Sequence, residues 1–293
     1  MPELDRYIPG VPCWIDTTQP DPDAAAEFYG GLFGWELEDT MPAGSPGKYL
    51  MARLQGGDVA AISSQQEGSP PAVVWNTYVR VTSADDAAAK VVEAGGRVLS
   101  EPFDIFDVGR MAVFADPEGA VFSVWQPNRF PGATVVNEPG SLNFNGLNTR
   151  DPEGAKAFYG AVFGWELLDM GMWALSGYGD HLEALNPGTR ERMGELDAPE
   201  RFEDVVASLA VIGDDQPDTL AHWDVTFGVA DADATAERAA ELGGTVLVPP
   251  FDAPWIRGTV IRDPQGATFN ANQFVPENSD MASEEADAAV RGS

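Results

Sequence analysis

The sequence is short of cysteine, of lysine and of long apolar runs, and each shortage excludes something. Cys13 is the sole cysteine. No internal disulfide can form, which is compatible with a reducing compartment. Lys48, Lys90 and Lys156 are the only lysines, and 17 basic residues stand against 47 acidic ones, a net charge of −30. So acidic a surface repels phosphate backbones and anionic lipid, so neither nucleic acid nor a membrane is an expected partner. It also favours solubility, and a compositional bias of the genome would produce the same excess. No stretch approaches the roughly 18 apolar residues of a spanning helix. The opening Met1-Pro2-Glu3-Leu4-Asp5 has no basic region followed by an apolar one. A cytoplasmic location is expected.

What is present is globular. The 293 residues are 44% apolar and 22% charged, enough for two domains, each with a sizeable core. The chain also repeats itself. Residues 28–39 read FYGGLFGWELED and residues 158–169 read FYGAVFGWELLD, an offset of 130. Asp116-Pro117-Glu118-Gly119 answers Asp263-Pro264-Gln265-Gly266 at an offset of 147, and Pro102-Phe103-Asp104 answers Pro250-Phe251-Asp252 at 148. The growing offset implies an insertion of about 18 residues in the second copy, placed in the polar stretch 181–203. Each copy holds a second helical segment, SADDAAAKVVEAGG at 83–96 and DADATAERAAELGG at 231–244. The chain therefore contains four strand–helix openings.

The local signals agree. Asp21 and Asp151 are N-caps with Pro22 and Pro152 at the first helical position, where a missing N–H costs nothing. Phe28, Tyr29, Leu32 and Phe33 form a helical stripe that stops at Gly34, and Phe158, Tyr159, Val162 and Phe163 repeat it before Gly164. Ser83 and Asp231 are candidate caps of the second pair, with Gly95 and Gly243 at its ends. Period-two strands place Trp14 with Asp16, Asn76 with Tyr78 and Arg80, and Ser123 with Trp125. The DPEG and DPQG turns join hairpins. The segment PNRFPGATVVNE, residues 127–138, marks the junction. The domains are read as 1–130 and 131–276, followed by a mobile acidic tail at 277–293.

In their order and fourfold recurrence, the openings, the FYGxxFGW segments and the DPxG hairpins resemble the vicinal oxygen chelate superfamily. That group includes glyoxalase I, bleomycin- and fosfomycin-resistance proteins and extradiol dioxygenases. The nearest resemblance is to actinobacterial tandem proteins described as glyoxalase-like or hydroxylase-like. It covers about residues 9 to 275. It implies an α+β fold of four βαβββ modules forming two curved eight-stranded sheets, helices outside. It also implies a monomer paired within the chain, with a homodimer compatible.

In metal-dependent members the ligands are His, Glu or Gln on the first and last strands of the modules. The matching positions here are Trp14, Asn76 and Ser123, with a region near Ala60 to Ile62, and then Phe144, Asp224 and Asn270, with a region near Leu209 to Val211. His, Glu and Gln are absent from all six securely placed positions. The resemblance therefore implies a cleft lined by rings and amides, with no metal and no cofactor.

The expected ligand-binding set is Trp14, Asp16, Asn76, Tyr78, Arg110, Ser123, Trp125, Phe144, Arg257 and Asn270. Two readings stand for Arg110 and Arg257, which precede the two hairpins at matching places: orientation of an anionic ligand, or a salt bridge at the sheet rim. Trp35 and Trp165 are read as structural and His181 as solvated. His222 and Asp224, two apart on one strand, are the candidate catalytic pair. The expected function is metal-independent binding of a small, partly apolar organic molecule. The alternative is a glyoxalase-like lyase or isomerase, or a hydroxylase-like enzyme, with a non-standard or absent metal site. The first copy has the fuller binding set. The second has the titratable pair, and segment 181–203 as a candidate lid.

Overall fold

The computed structural model describes residues 6–65, 73–196 and 198–281. Four βαβββ modules follow one another. The first is β1 (Pro12–Gln19), α1 (Pro22–Phe33), β2 (Glu36–Asp39), β3 (Tyr49–Leu54) and β4 (Gly57–Ser64). The second is β5 (Trp75–Arg80), α2 (Ala84–Glu93), β6 (Arg97–Ile105), β7 (Gly109–Ala115) and β8 (Val121–Pro127). The third is β9 (Leu142–Thr149), α3 (Pro152–Phe163), β10 (Trp165–Leu168), β11 (Met172–Leu175), two extra helices α4 (Tyr178–Leu185) and α5 (Thr189–Glu195), and β12 (Val205–Val211). The fourth is β13 (His222–Val229), α6 (Ala232–Glu241), β14 (Thr245–Ala253), β15 (Ile256–Arg262) and β16 (Thr268–Phe274). The strands make two mixed eight-stranded sheets, in the orders β2-β3-β4-β1-β5-β8-β7-β6 and β10-β11-β12-β9-β13-β16-β15-β14. In each module the opening strand lies parallel to the last, β1 to β4 and β5 to β8 in the first sheet.

Local chemistry sets the helix ends. Asp21 Oδ1 accepts the N–H groups of Asp23 and Ala24 at 3.1 Å, and Asp151 Oδ1 accepts that of Gly154 at 2.9 Å. Gly34 and Gly164 close these helices at φ 73° and 75°, a conformation that favours glycine. Ser83 and Asp231 cap α2 and α6 in the same way. The polar insertion is helical, with α4 and α5 lying between β11 and β12. The start of the expected acidic tail forms a 3₁₀ turn at Pro276–Asp280, and residues 282–293 lie outside the described residues.

By compactness the chain divides into two units. The first unit is Met1–Trp14, Asn76–Thr134 and Phe144–Asp224, and the second is Ile15–Trp75, Val135–Asn143 and Val225–Ser293. The cuts fall inside the four opening strands. Each unit joins the sequence motifs crosswise. In the second unit Tyr29 of FYGGLFGW donates to Asp263 of DPQG at 2.9 Å, and Trp75 Nε1 donates to the Tyr29 hydroxyl at 3.1 Å. In the first, Tyr159 of FYGAVFGW donates to Asp116 of DPEG at 3.0 Å, and Trp223 Nε1 donates to Tyr159 at 2.9 Å. Trp35 and Trp165 are buried, and each donates its indole N–H at 2.7 Å to a backbone carbonyl, of Gly140 and Gly10 respectively. A buried hydroxyl, carboxylate and indole are tolerable only when paired, and here they pair with one another.

These contacts fix the direction of the opening strands. Trp75, Phe122, Trp223 and Phe269 join the ring clusters around the helix-borne tyrosines. Side chains alternate along a strand. Asn76, Ser123, Asp224 and Asn270 therefore project from the face opposite the tyrosine-bearing helices.

Candidate functional site

On the first unit's share of the first sheet, Trp14, Tyr78, Ser123 and Trp125 are all buried, and Asn76 is half-buried. Tyr78 pairs in register with Ser123 on β5 and β8. Phe130, from the segment read as a domain junction, is the organising residue. Its ring meets Trp14 edge to face at 4.7 Å and Trp125 at 6.2 Å, and its carbonyl accepts the Trp125 indole N–H at 2.8 Å. Trp125 lies so close over Gly109 that a Cβ there would run into the indole ring. The backbone after Phe130 is held just as closely. Ala133 N–H bonds to Cys13 O at 2.8 Å, and the Tyr7 hydroxyl bonds to Ala133 O at 2.7 Å. Burial pushes the Cys13 thiol up to about 12, so this cysteine is no nucleophile at neutral pH.

On the first unit's share of the second sheet the surface is polar. Phe144, Gly146 and Asn148 alternate along β9 on the side that faces Asp224. Asn148 Nδ2 donates to Asp224 Oδ2 at 2.7 Å. A Cβ at Gly146 would lie 2.6 Å from Asp224 Oδ1 and 3.0 Å from Ser208 Oγ, so the glycine is what lets the two groups approach the strand. Ser208 lies opposite Gly146 in the register, one residue before the stretch expected to supply the fourth position. His222 shares the face but is exposed, with Nδ1 2.8 Å from Leu220 O. Of the candidate catalytic pair, His222 thus lies against Leu220 O, and Asp224 is held by Asn148.

In the second unit, Asp16 is buried and accepts a hydrogen bond from the Tyr49 hydroxyl at 3.3 Å. Asn270 is half-buried, with Nδ2 3.4 Å from Thr226 Oγ1. The two arginines behave alike, each within its own unit. Arg110 grips both Asp85 oxygens at 3.0 Å and reaches Asp104 at 3.0 Å. Arg257 does the same with Asp233, 2.9 Å for Nη2, and with Asp252 at 3.0 Å. The guanidinium hydrogen bonds hold the Asp85 and Asp233 carboxyls below the usual carboxylate range. Of the two readings open for these arginines, the structure displays the salt bridge.

Phe130, Asn148, Ser208 and Tyr49 were not singled out from the sequence. Period two along β9 carries a signal for Asn148, four residues beyond Phe144. Phe130 carries none, because its proline-flanked segment reads as a linker.

The two halves define a class. Residues 14–124 and 141–271 each match the family described as the Glyoxalase/Bleomycin resistance protein/Dioxygenase superfamily, and the chain belongs to it. Among its relatives is a protein of Mycobacterium tuberculosis (strain CDC 1551), "Putative glyoxylase CFP32", 40% identical over 94% of this chain and 100% of its own length. The anthracycline biosynthesis protein DauV of Streptomyces sp. (strain C5) is 36% identical over 91% of this chain and 94% of its own. The Mn(II)-bound glyoxalase of Novosphingobium aromaticivorans shares the fold at TM-score 0.56 and 17% identity, covering 90% of this chain and 82% of that one.

A divalent metal is implied by such members, and the donor set here does not fit one. The six positions carry two rings, two amides, a hydroxyl and one carboxylate, and that carboxylate is already engaged by Asn148. Zinc or iron wants imidazole, thiolate or several carboxylates. Among the described residues no group of three or more His, Cys, Asp or Glu is placed to hold a metal ion. No helix among them is long and apolar enough to cross a membrane.

Proposed function

We propose that the chain binds a small, partly apolar organic molecule on the sheet face opposite the tyrosine-bearing helices, without a metal. What supports this reading is the set Trp14, Asn76, Ser123, Phe144, Asp224 and Asn270, at the positions that the resemblance equates with the ligand places of metal-dependent members. Rings there offer contact area at low entropic cost, and amides and hydroxyls give direction. The name of the anthracycline biosynthesis relatives supports a flat, hydroxylated aromatic compound as the ligand class. The test is a tryptophan-fluorescence titration with 2-naphthol, a minimal hydroxyarene, on chelator-treated protein of measured metal content. Saturable binding at well under one transition metal per chain is expected. Stoichiometric zinc, iron, nickel or manganese, or binding that appears only on metal addition, would overturn the reading.

A further inference from the structure

We infer that the second unit carries a further small-molecule site, between α1 and α6, which takes an apolar compound bearing a neutral carboxamide. It goes beyond the function proposed above, which concerns the sheet face. A cavity of about 300 Å³ opens there, at the lower end of the range of small-molecule pockets. Its floor is made by the buried side chains of Phe33, at the end of α1, and Val229, at the end of β13. The half-buried Leu32 and Thr235 form its sides, and Pro139 and Ala234 stand at its exposed rim. Ala234, Thr235 and Arg238 share one face of α6, because residues three and four apart are neighbours on a helix. The small Ala234 stands where the first repeat has Asp86, so this side of α6 leaves room beside the cavity and brings no carboxylate there.

The polar groups of the lining define the head group. Thr235 gives its hydroxyl hydrogen to Asp231 O at 2.6 Å, so towards a ligand its oxygen accepts. Arg238 gives Nε to Gly31 O at 3.2 Å and Nη1 to Glu241 Oε2 at 2.9 Å. Its Nη2 hydrogens have no acceptor among the described residues. Gly140 adds no open group, since its N–H bonds to Gly228 O at 2.8 Å and its carbonyl takes the Trp35 indole N–H. A ligand group that serves both Thr235 and Arg238 must therefore donate to the first and accept from the second. A primary carboxamide does both, with its N–H and carbonyl oxygen side by side. A carboxylate has no hydrogen for Thr235 and meets the Asp231 carboxylate at the same cavity. An ammonium supplies the hydrogen but meets the Arg238 guanidinium.

The experiment titrates the full chain with benzamide, benzoate and benzylamine, one ring with three head groups, by ligand-observed NMR. Benzamide should bind roughly tenfold more tightly than either charged compound. Ala234→Leu, which fills the cavity from an exposed helix position, should abolish benzamide binding. Arg238→Met and Thr235→Val each remove one polar partner and keep most of the side chain's bulk. Each should lower benzamide affinity severalfold. Arg238→Met should also narrow the gap to benzylamine, and Thr235→Val the gap to benzoate, neither of which a merely structural role would do. Far-ultraviolet circular dichroism matched to wild type keeps loss of the site apart from loss of the fold. Absence of benzamide binding, equal binding of the three compounds, or benzamide affinity untouched by Ala234→Leu would overturn the site. None of these results bears on ligand binding at the sheet face.

Discussion

Trp35 and Trp165 share three matching ring neighbours, and the fourth differs: Phe227 at 5.7 Å from Trp35 in the second unit, Trp173 at 5.8 Å from Trp165 in the first. These are not matching positions. The counterpart of Phe227 is Val79, and the counterpart of Trp173 is Ala52, which pairs with Leu37 as Trp173 pairs with Leu167. Each unit thus supplies one large ring and one small side chain, from opposite modules. Ala52, Phe227 and Trp173 are all fully buried, and Val79 nearly so. Two copies of one fold have reached the same packing by different routes, because a core constrains total volume and shape more than the position that supplies them. The exchange leaves one mark. The Trp173 indole N–H is buried without a hydrogen-bond partner.

The largest effect should come from reversing this exchange. Trp173→Ala should cost about 3–5 kcal/mol, as for other large-to-small changes at buried rings. Adding Val79→Phe, which gives the first unit the second unit's arrangement, should return a substantial part of that loss in denaturant unfolding. Strictly additive destabilisation by the two changes would show that the rings do not fill equivalent space.

The tyrosine–aspartate locks differ next. Asp263 Oδ2 takes a second donor, Gln19 Nε2, at 2.7 Å. Thr149, the counterpart of Gln19, turns instead to Glu118. Tyr159→Phe therefore strips Asp116 Oδ2 of its side-chain donor, whereas Tyr29→Phe leaves Gln19 in place. The expected losses are about 3 kcal/mol for Tyr159→Phe and about 2 kcal/mol for Tyr29→Phe, since a buried carboxylate oxygen left unpaired costs more than one still engaged. Urea melts of the two variants should show that order, and the opposite order would contradict it.

A smaller difference lies between the opening strands. Thr77 Oγ1 donates to Asn145 Oδ1 at 2.7 Å inside the first unit, whereas Val225 and Ile15 hold the matching places in the second. Asn145→Ile alone should cost about 1–2 kcal/mol by leaving the Thr77 hydroxyl unpaired. The double variant with Thr77→Val should be close to wild type, because replacing both partners with apolar groups is nearly neutral. A double-mutant cycle reads the coupling directly.

What the sequence displayed was what short-range chemistry determines. Asp21, Ser83, Asp151 and Asp231 act as caps within three residues of themselves, and strand alternation follows from geometry alone. The eight-stranded sheets came through resemblance. The crosswise joining of Tyr29 to Asp263 was not legible, since 234 residues separate them and only the tertiary fold brings them together. For the same reason the sequence left Arg110 open between ligand and salt bridge, because its partner Asp85 begins a helix 25 residues earlier. At the candidate site, residue types at the family positions were readable. Their neighbours Asn148, Ser208 and Phe130 depended on register and on the path of a linker.

The smallest expected effect is a pH dependence peculiar to the first unit's lock. Asp116 is buried, and desolvation raises its carboxyl above the ordinary value of 3.8, against the lowering effect of the N–H groups and the Tyr159 hydroxyl around it. A raised value means that the folded state binds this proton more readily than the unfolded chain does. The stabilisation from protonation is therefore fully present below 3.8 and is lost as pH rises through the folded value. Asp116→Asn keeps the size of the side chain and removes the titration. The difference in Tm between wild type and Asp116→Asn should move in favour of wild type as pH is lowered from neutrality through that window, and should be flat well above it. The remaining carboxylates titrate in both proteins and cancel in the difference. Thermal melts of the two proteins at matched ionic strength between about pH 3.5 and 7 read this directly. A difference that stays constant across the range, or moves towards the variant on acidification, would show that Asp116 is no harder to ionise in its lock than in the unfolded chain.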